Sequence, residues 1–153
     1  MLDNAQAQPA LAEAAGEVLE TMFFTAVSPA EQDAPAAASR ELTAGVRFKG
    51  APSGMLTLAI AEAPARRIAC NFLGAEDESA LTDSQVSEVI GELANMICGS
   101  VLSRIESDTT FDLDKPAPLT GTETIPALAS ARCALDVEGS PLTLAMYFDE
   151  EEP

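Results

Sequence analysis

The segment that decides the fold reads Val89-Ile-Gly-Glu-Leu-Ala-Asn-Met-Ile-Cys-Gly99, and its apolar residues recur at helical spacing. At 3.6 residues per turn, apolar side chains gather on one stripe and polar or small ones on the opposite side. Glu92 and Asn95 lie three residues apart, so they are neighbours on the helix surface and can address one small target together. The pattern predicts a core helix with a polar site facing outward. The apolar stripe is Val86, Ile90, Leu93, Ile97 and Val101, and the opposite side is Glu88, Glu92, Asn95, Gly99 and Ser103.

The start of this helix carries a complete capping signal. Thr82 is a favourable N-cap residue, and Gln85 follows three positions later, which is the spacing of a capping box. Leu81 stands before the cap, where it can pack against Val86 as a hydrophobic staple. The sequence therefore predicts a helix that begins just after Thr82.

Helical and strand periodicities alternate along the rest of the chain. An earlier helix is expected after Pro9, because proline is tolerated in a first helical turn, and a short helix is expected from near Pro64 to Gly74. Two regions alternate apolar and polar residues on both sides of a turn, which is typical of β-hairpins. These hairpins pair 42–48 with 56–60 and 133–137 with 142–148, while 28–39 is predicted to be a flexible loop and 149–153 an acidic tail.

The element order favours an α+β fold with two layers. Each predicted strand is apolar on one face, so we expect an antiparallel sheet with long helices packed on one face. The chain has 153 residues and 47% hydrophobic residues, which suits a single domain spanning 1–153. A helix followed by a hairpin occurs twice, which is compatible with a pseudo-duplication.

Charge and composition exclude several classes of function. The formal net charge is -17, and such a field repels nucleic acid and anionic membranes. We therefore expect no nucleic-acid partner and no membrane partner, and no signal peptide or membrane span is recognisable. There is no histidine, and Cys70, Cys98 and Cys133 lack metal-ligand spacing, so no metal site and no cofactor of the chain's own are expected. Three cysteines without a pairing pattern favour a reducing compartment, and we expect the cytoplasm.

Four segments of the chain together carry a recognisable family pattern. The helix motif is Glu92-Leu-Ala-Asn95 within Ile90–Met96, with Gly99 beyond it. The other three segments are Phe48-Lys-Gly-Ala-Pro-Ser-Gly-Met-Leu-Thr-Leu58, Asn71-Phe-Leu-Gly74 and Phe111-Asp-Leu-Asp-Lys-Pro-Ala-Pro118. Together these segments resemble the CheC/CheX/FliY family of chemotaxis phosphatases, and the CheX branch most closely, in which similar segments occur in the same order.

The resemblance implies an enzyme that hydrolyses the aspartyl phosphate of a phosphorylated, CheY-like response regulator. Glu92 and Asn95 would be the catalytic residues: Glu92 would contact the active-site lysine of the receiver domain, and Asn95 would hold the attacking water. The same helix would supply partner-binding residues, and the glycines among them would allow close approach. The Mg²⁺ ion would belong to the receiver domain, and the chain would form a homodimer. The implied partner-binding residues are Glu88, Gly91, Met96 and Gly99.

Two departures from the family pattern leave alternatives open. The position four residues before Glu92 is usually Asp or Ser in the family, and here it is Glu88. The first helix has Glu17 and Glu20 but no asparagine at the corresponding place, so we expect one site per chain. By spacing alone, Glu92 and Asn95 also fit an ordinary solvated helix face. The alternative function is a non-catalytic adaptor that binds receiver domains on the same fold.

Overall fold

The computed structural model describes residues 4–29, 41–50, 53–105, 110–119, 129–137 and 139–149. Three α-helices, one 3₁₀ turn and six strands account for most of these residues. The helices are α1 (Asn4–Met22), α2 (Glu62–Leu73) and α3 (Asp83–Ile105), and the 3₁₀ turn is Glu78–Ala80. The strands are β1 (Ser28–Pro29), β2 (Glu41–Lys49), β3 (Gly54–Ala61), β4 (Asp112–Leu113), β5 (Ala131–Val137) and β6 (Ser140–Phe148).

The strands form one antiparallel sheet in the order β1-β5-β6-β3-β2-β4. Both predicted hairpins are present, as β2–β3 and β5–β6, and they join where β3 pairs with β6. Leu58 lies opposite Leu144 near the middle of that central pairing. Along β3 and β6, buried residues such as Leu56, Leu58, Leu142 and Leu144 alternate with less buried ones, as expected from the two-residue period of a strand.

The helices cover one face of the sheet, as the sequence pattern predicts. The α1 helix packs on β5, and α3 packs on β2 and on α1. The α1 helix precedes the β2–β3 hairpin in the chain but covers β5, the outer strand of the other hairpin. Likewise, α3 precedes the β5–β6 hairpin but covers β2. This crossed arrangement relates the two halves of the domain as a pseudo-duplication would. The α+β fold with two layers is confirmed.

Two sets of hydrogen bonds fix the beginning of α3. The predicted capping box is present: the backbone N–H of Gln85 donates to Thr82 Oγ1 at 3.1 Å, and the backbone N–H of Thr82 donates to Gln85 Oε1 at 2.8 Å. Leu81 and Val86 are both buried, as a staple requires. Arg66 of α2 donates to the carbonyl of Leu81 at 2.9 Å and pairs with Asp83. The first turn of α3 is thus tied both to its own cap and to α2.

The predicted boundaries differ from the structure at several places. The α1 helix begins at Asn4, so Pro9 lies inside the helix and not in its first turn, and the bond that a backbone N–H at this position would make is absent. The short helix begins at Glu62 and ends, as predicted, at Gly74, whose φ of 68° suits glycine. Within the predicted loop 28–39, residues 28–29 form the short strand β1. The rest of that loop, and the acidic tail beyond Asp149, lie outside the described residues.

A segment that we call the strap, residues 112–119, runs antiparallel along the outer edge of β2. After the two β4 residues, the N–H of Asp114 donates to the carbonyl of Arg47 at 2.8 Å. Ala117 then exchanges two backbone bonds with Gly45, at 2.8 and 3.1 Å. Pro116 lies over Gly91 of α3, such that a Cβ added to Gly91 would sit 3.5 Å from the Pro116 ring. The strap therefore joins the sheet edge to the outer side of α3.

The α3 helix is also long and apolar enough to cross a membrane, judged by length and composition. In the structure its apolar residues form part of the hydrophobic core beneath the sheet. Ten of its residues are buried: Val86, Val89, Ile90, Gly91, Leu93, Ala94, Ile97, Cys98, Val101 and Leu102.

Thr82→Ala tests the capping box. The variant removes the acceptor for the Gln85 N–H, so we expect a loss of about 1 kcal/mol in the free energy of unfolding, measured by chemical denaturation. Ser103→Ala, on the exposed side of the same helix, is the matched control and should unfold close to wild type. Equal stability of wild type and Thr82→Ala would contradict the importance of this cap.

Gly91 tests the contact between α3 and the strap. A methyl group at this position would be in ordinary contact with Pro116, so Gly91→Ala should stabilise the domain by up to about 1 kcal/mol through helix propensity. Gly91→Leu should instead displace the strap and destabilise the domain by roughly 1 to 3 kcal/mol. Denaturant midpoints of the two variants would decide, and a destabilising Gly91→Ala would show that Pro116 packs more tightly than the structure indicates.

Candidate functional site

Glu92 and Asn95 lie on the outer side of α3, where the helical period places them. The Glu92 side chain is exposed and Asn95 is half-buried. Neither side chain has a hydrogen-bond partner among the described residues. Every buried polar side-chain atom in the described part of the chain has a hydrogen-bond partner, so the amide of Asn95, which has none, must be accessible to solvent. Their helical neighbours Leu93 and Ala94 are fully buried and hold the backbone in place. The carboxylate and the carboxamide are thus free to contact an incoming molecule.

A groove of about 450 Å³ opens beside Glu92. One wall is the first half of α3, the other is the strap, and the floor is the beginning of β2. Glu88 and Glu92 contribute carboxylates, and Lys115 is the one basic residue among the described residues of the lining. The groove is therefore a partly apolar cleft with charges of both signs at its walls. Its lining is Thr43, Ala44, Ser84, Ser87, Glu88, Gly91, Glu92 and residues 115–118.

The four residues predicted to bind a partner occupy different environments. Glu88 is exposed and lines the groove. Gly91 is buried under Pro116, so in this structure its missing side chain allows the strap, and not a partner, to approach the helix closely. Met96 is half-buried and packs against the core, and Gly99 is half-buried near Leu113. Their contact with a partner stays a prediction, and only Glu88 is fully open to one in the isolated domain.

The outer side of α1 differs from that of α3 in its chemistry. Glu17 pairs with Arg104 in the last turn of α3. Glu13 also approaches Arg104, at 3.6 Å, while Glu20 is exposed. Glu17 is therefore part of a surface ion pair between the two long helices.

The cysteines do not contribute to the polar site. Cys98 faces inward from α3, and burial raises the pKa of its thiol to about 12, so it stays uncharged. Burial also raises the pKa of Cys133. All three cysteines are free, and no group of three or more Cys, Asp or Glu residues within the described part of the chain is placed to hold a metal ion.

The sequence did not predict that the strap forms one wall of the groove. The register of the strap against β2 brings Lys115 and Pro116 next to the first half of α3, whose groove residues lie more than twenty positions earlier in the chain. The available signal was the Lys115-Pro-Ala-Pro118 sequence, which predicts an extended connector but not where that connector packs.

Comparisons with known proteins agree with this architecture. The Vibrio vulnificus chemotaxis protein CheX has a TM-score of 0.73 at 19% identity, over 97% of this chain and 100% of that one. The Desulfovibrio desulfuricans chemotaxis protein CheX has a TM-score of 0.70 at 19% identity, over 94% of this chain and 99% of that one. The CheX-CheY-BeF3-Mg+2 complex from Borrelia burgdorferi gives a TM-score of 0.68 at 16% identity, over 98% of this chain and 100% of that one.

At these identities the solved structures establish the fold alone. No curated protein sequence matches the chain. The family model described as "Chemotaxis phosphatase CheX" matches residues 42–138, which is more than half of the chain and includes α3 and the strap. The chain therefore belongs to the CheX family.

Proposed function

We propose that this chain hydrolyses the aspartyl phosphate of a CheY-like receiver domain in chemotaxis or a related two-component pathway. The observation that carries the proposal is the outward-facing pair of Glu92 and Asn95 on a firmly anchored helix, with free side chains and a groove that opens beside Glu92. Membership of the CheX family and the similarity to a protein solved in complex with CheY support the same partner.

In this proposal Asn95 positions the attacking water. A carboxamide can both accept a hydrogen bond from a water molecule and donate one, so it can orient the water's lone pair toward phosphorus. The new bond forms between the water oxygen and phosphorus, and the bond from phosphorus to the receiver's aspartate oxygen breaks. The aspartate leaves as a carboxylate, and the protons of the water leave with the phosphate as H₂PO₄⁻. Phosphoryl transfer depends mainly on positioning and electrostatics, so no histidine is required.

Glu92 would contact the active-site lysine of the receiver domain. Its carboxylate is exposed on the free surface, and in the complex it would meet an ammonium group. The charge-assisted bond would fix the receiver relative to Asn95. The Mg²⁺ ion of the reaction would be held by the receiver.

A homodimer and a cytoplasmic location are further parts of the proposal. Free Cys70, Cys98 and Cys133 support a reducing compartment. For the dimer, the outer edge of β5 is relevant, because β1 pairs with only two residues near its end, Leu135 and Asp136. Gln8 of α1 bonds to the N–H of Arg132 at 2.9 Å and to its carbonyl. A dimer that joins sheets at this edge would have to displace the Gln8 amide.

Asn95→Ala tests the catalytic proposal. We expect the rate of phosphate loss from a phosphorylated receiver to fall at least about 10²-fold, because water positioning is removed while the helix is retained. Asn95→Asp, which keeps the shape but loses the amide donor, should be similarly impaired, and Ser103→Ala on the same helix should not be. If the wild-type domain leaves the lifetime of the phosphorylated receiver unchanged or lengthens it, the adaptor alternative is favoured. If Asn95→Ala dephosphorylates the receiver at a near-normal rate, Asn95 does not have the role assigned to it.

Glu92→Gln tests the ion pair with the receiver. The substitution keeps the side-chain shape and removes the charge, so kcat/KM should fall by an amount equivalent to about 1 to 3 kcal/mol. Added salt should narrow the difference only partly, because a desolvated pair is weakly screened. Glu20→Gln on α1 is the matched control. If Glu92→Gln matched wild type at every salt concentration, the ion pair would be refuted.

A further inference from the structure

The strap places a cation beside the two carboxylates of the candidate site. Lys115 is exposed and lines the same groove as Glu88 and Glu92. Its ammonium group has no hydrogen bond or ion pair among the described residues. In a chain with 8 basic and 25 acidic residues, an unpaired cation at the site is an uncommon local charge.

The backbone around Lys115 is held on both sides. Before it, the N–H of Asp114 is bonded to the carbonyl of Arg47, and after it, Ala117 is bonded twice to Gly45. Pro116 restricts Lys115 to an extended conformation and itself rests on Gly91. The position from which the Lys115 side chain projects is therefore fixed relative to α3, and only the side chain itself has to be ordered on binding.

The Lys115 ammonium group can reduce the electrostatic repulsion between the site and its partner. The proposed substrate presents a phosphoryl group, and the helix face that would receive it carries the carboxylates of Glu88 and Glu92. Like charges that face each other across an interface oppose association, whereas a cation at the rim favours it. Lys115 is the group of the groove that can offset this repulsion.

We propose that Lys115 is a receiver-binding residue whose ammonium group contacts an anionic oxygen of the partner, either of the phosphoryl group or of a carboxylate next to it. This inference rests on the proposed function. Lys115 contributes affinity and association rate, and it takes no part in positioning the water. Its removal should therefore change KM and leave kcat nearly constant.

The test compares Lys115→Ala, Lys115→Arg and Lys115→Glu with wild type, using a CheY-like receiver phosphorylated by a small-molecule phosphodonor. Lys115→Ala should raise KM about 3- to 10-fold at low salt with kcat within about twofold, and this difference should shrink as salt is added. Lys115→Arg should restore most of the affinity, and Lys115→Glu should raise KM further than alanine does. Lys49→Ala is the matched control, because Lys49 is also exposed but lies outside the groove lining.

A binding experiment identifies the source of the anionic oxygen. The affinity of each variant is measured for the receiver with Mg²⁺ alone and for the receiver with Mg²⁺ and beryllofluoride, which takes the place of a phosphoryl group. A loss of affinity confined to the beryllofluoride form assigns the contact to the phosphoryl oxygens, and an equal loss in both forms assigns it to a receiver carboxylate. Either result supports the role of Lys115.

Two results would overturn the inference: unchanged KM and affinity in Lys115→Ala, or an equal loss in Lys49→Ala, which would reflect net charge alone. The proposed function fails separately, when wild type binds the receiver but releases no phosphate. In that case the binding measurements still decide whether Lys115 contacts the partner. If wild type neither binds the receiver nor hydrolyses its phosphate, both proposals fall.

Discussion

The fixed orientation of α3 about its own helix axis is the constraint on which the rest of the structure depends. The helix buries Ile90, Leu93 and Ile97 almost completely, and these contacts leave only one orientation against the sheet and α1. Because the helical period is fixed, the same orientation determines that Glu92 and Asn95 face outward. The hydrophobic core and the candidate site are therefore two consequences of one packing solution, and a mutation that rotated the helix would damage both.

The elements that local sequence signals control were predictable. The capping box at Thr82 and Gln85 depends on residues three apart, and the end of α2 depends on one glycine, so both could be read without knowledge of the fold. The hairpins followed from the alternation of apolar residues. The same helical period identified Glu92 and Asn95 as neighbours on an outer face.

Features that depend on contacts distant in sequence were not predictable. The pairing of β1 with β5 brings Ser28 opposite Asp136, and nothing in either segment specifies the other. The burial of Gly91 has the same origin, because Pro116 reaches it only through the register of the strap on β2. The beginning of α1 was missed for a different reason. Proline lowers local helix propensity, but the burial of Leu11 and Ala14 behind it outweighs the lost bond.

The two prolines of the strap have a consequence for how the chain behaves at high concentration. Ala117 directs its N–H and its carbonyl toward Gly45, so in strand geometry the backbone nitrogens of Pro116 and Pro118 point away from the sheet. Neither nitrogen carries a hydrogen, and a foreign strand approaching this stretch of edge finds no donors with which to pair. The central strands β3 and β6 carry several large apolar residues, and such strands aggregate readily when a sheet edge is left open. The segment that walls the groove therefore also protects the domain against growing into a larger sheet.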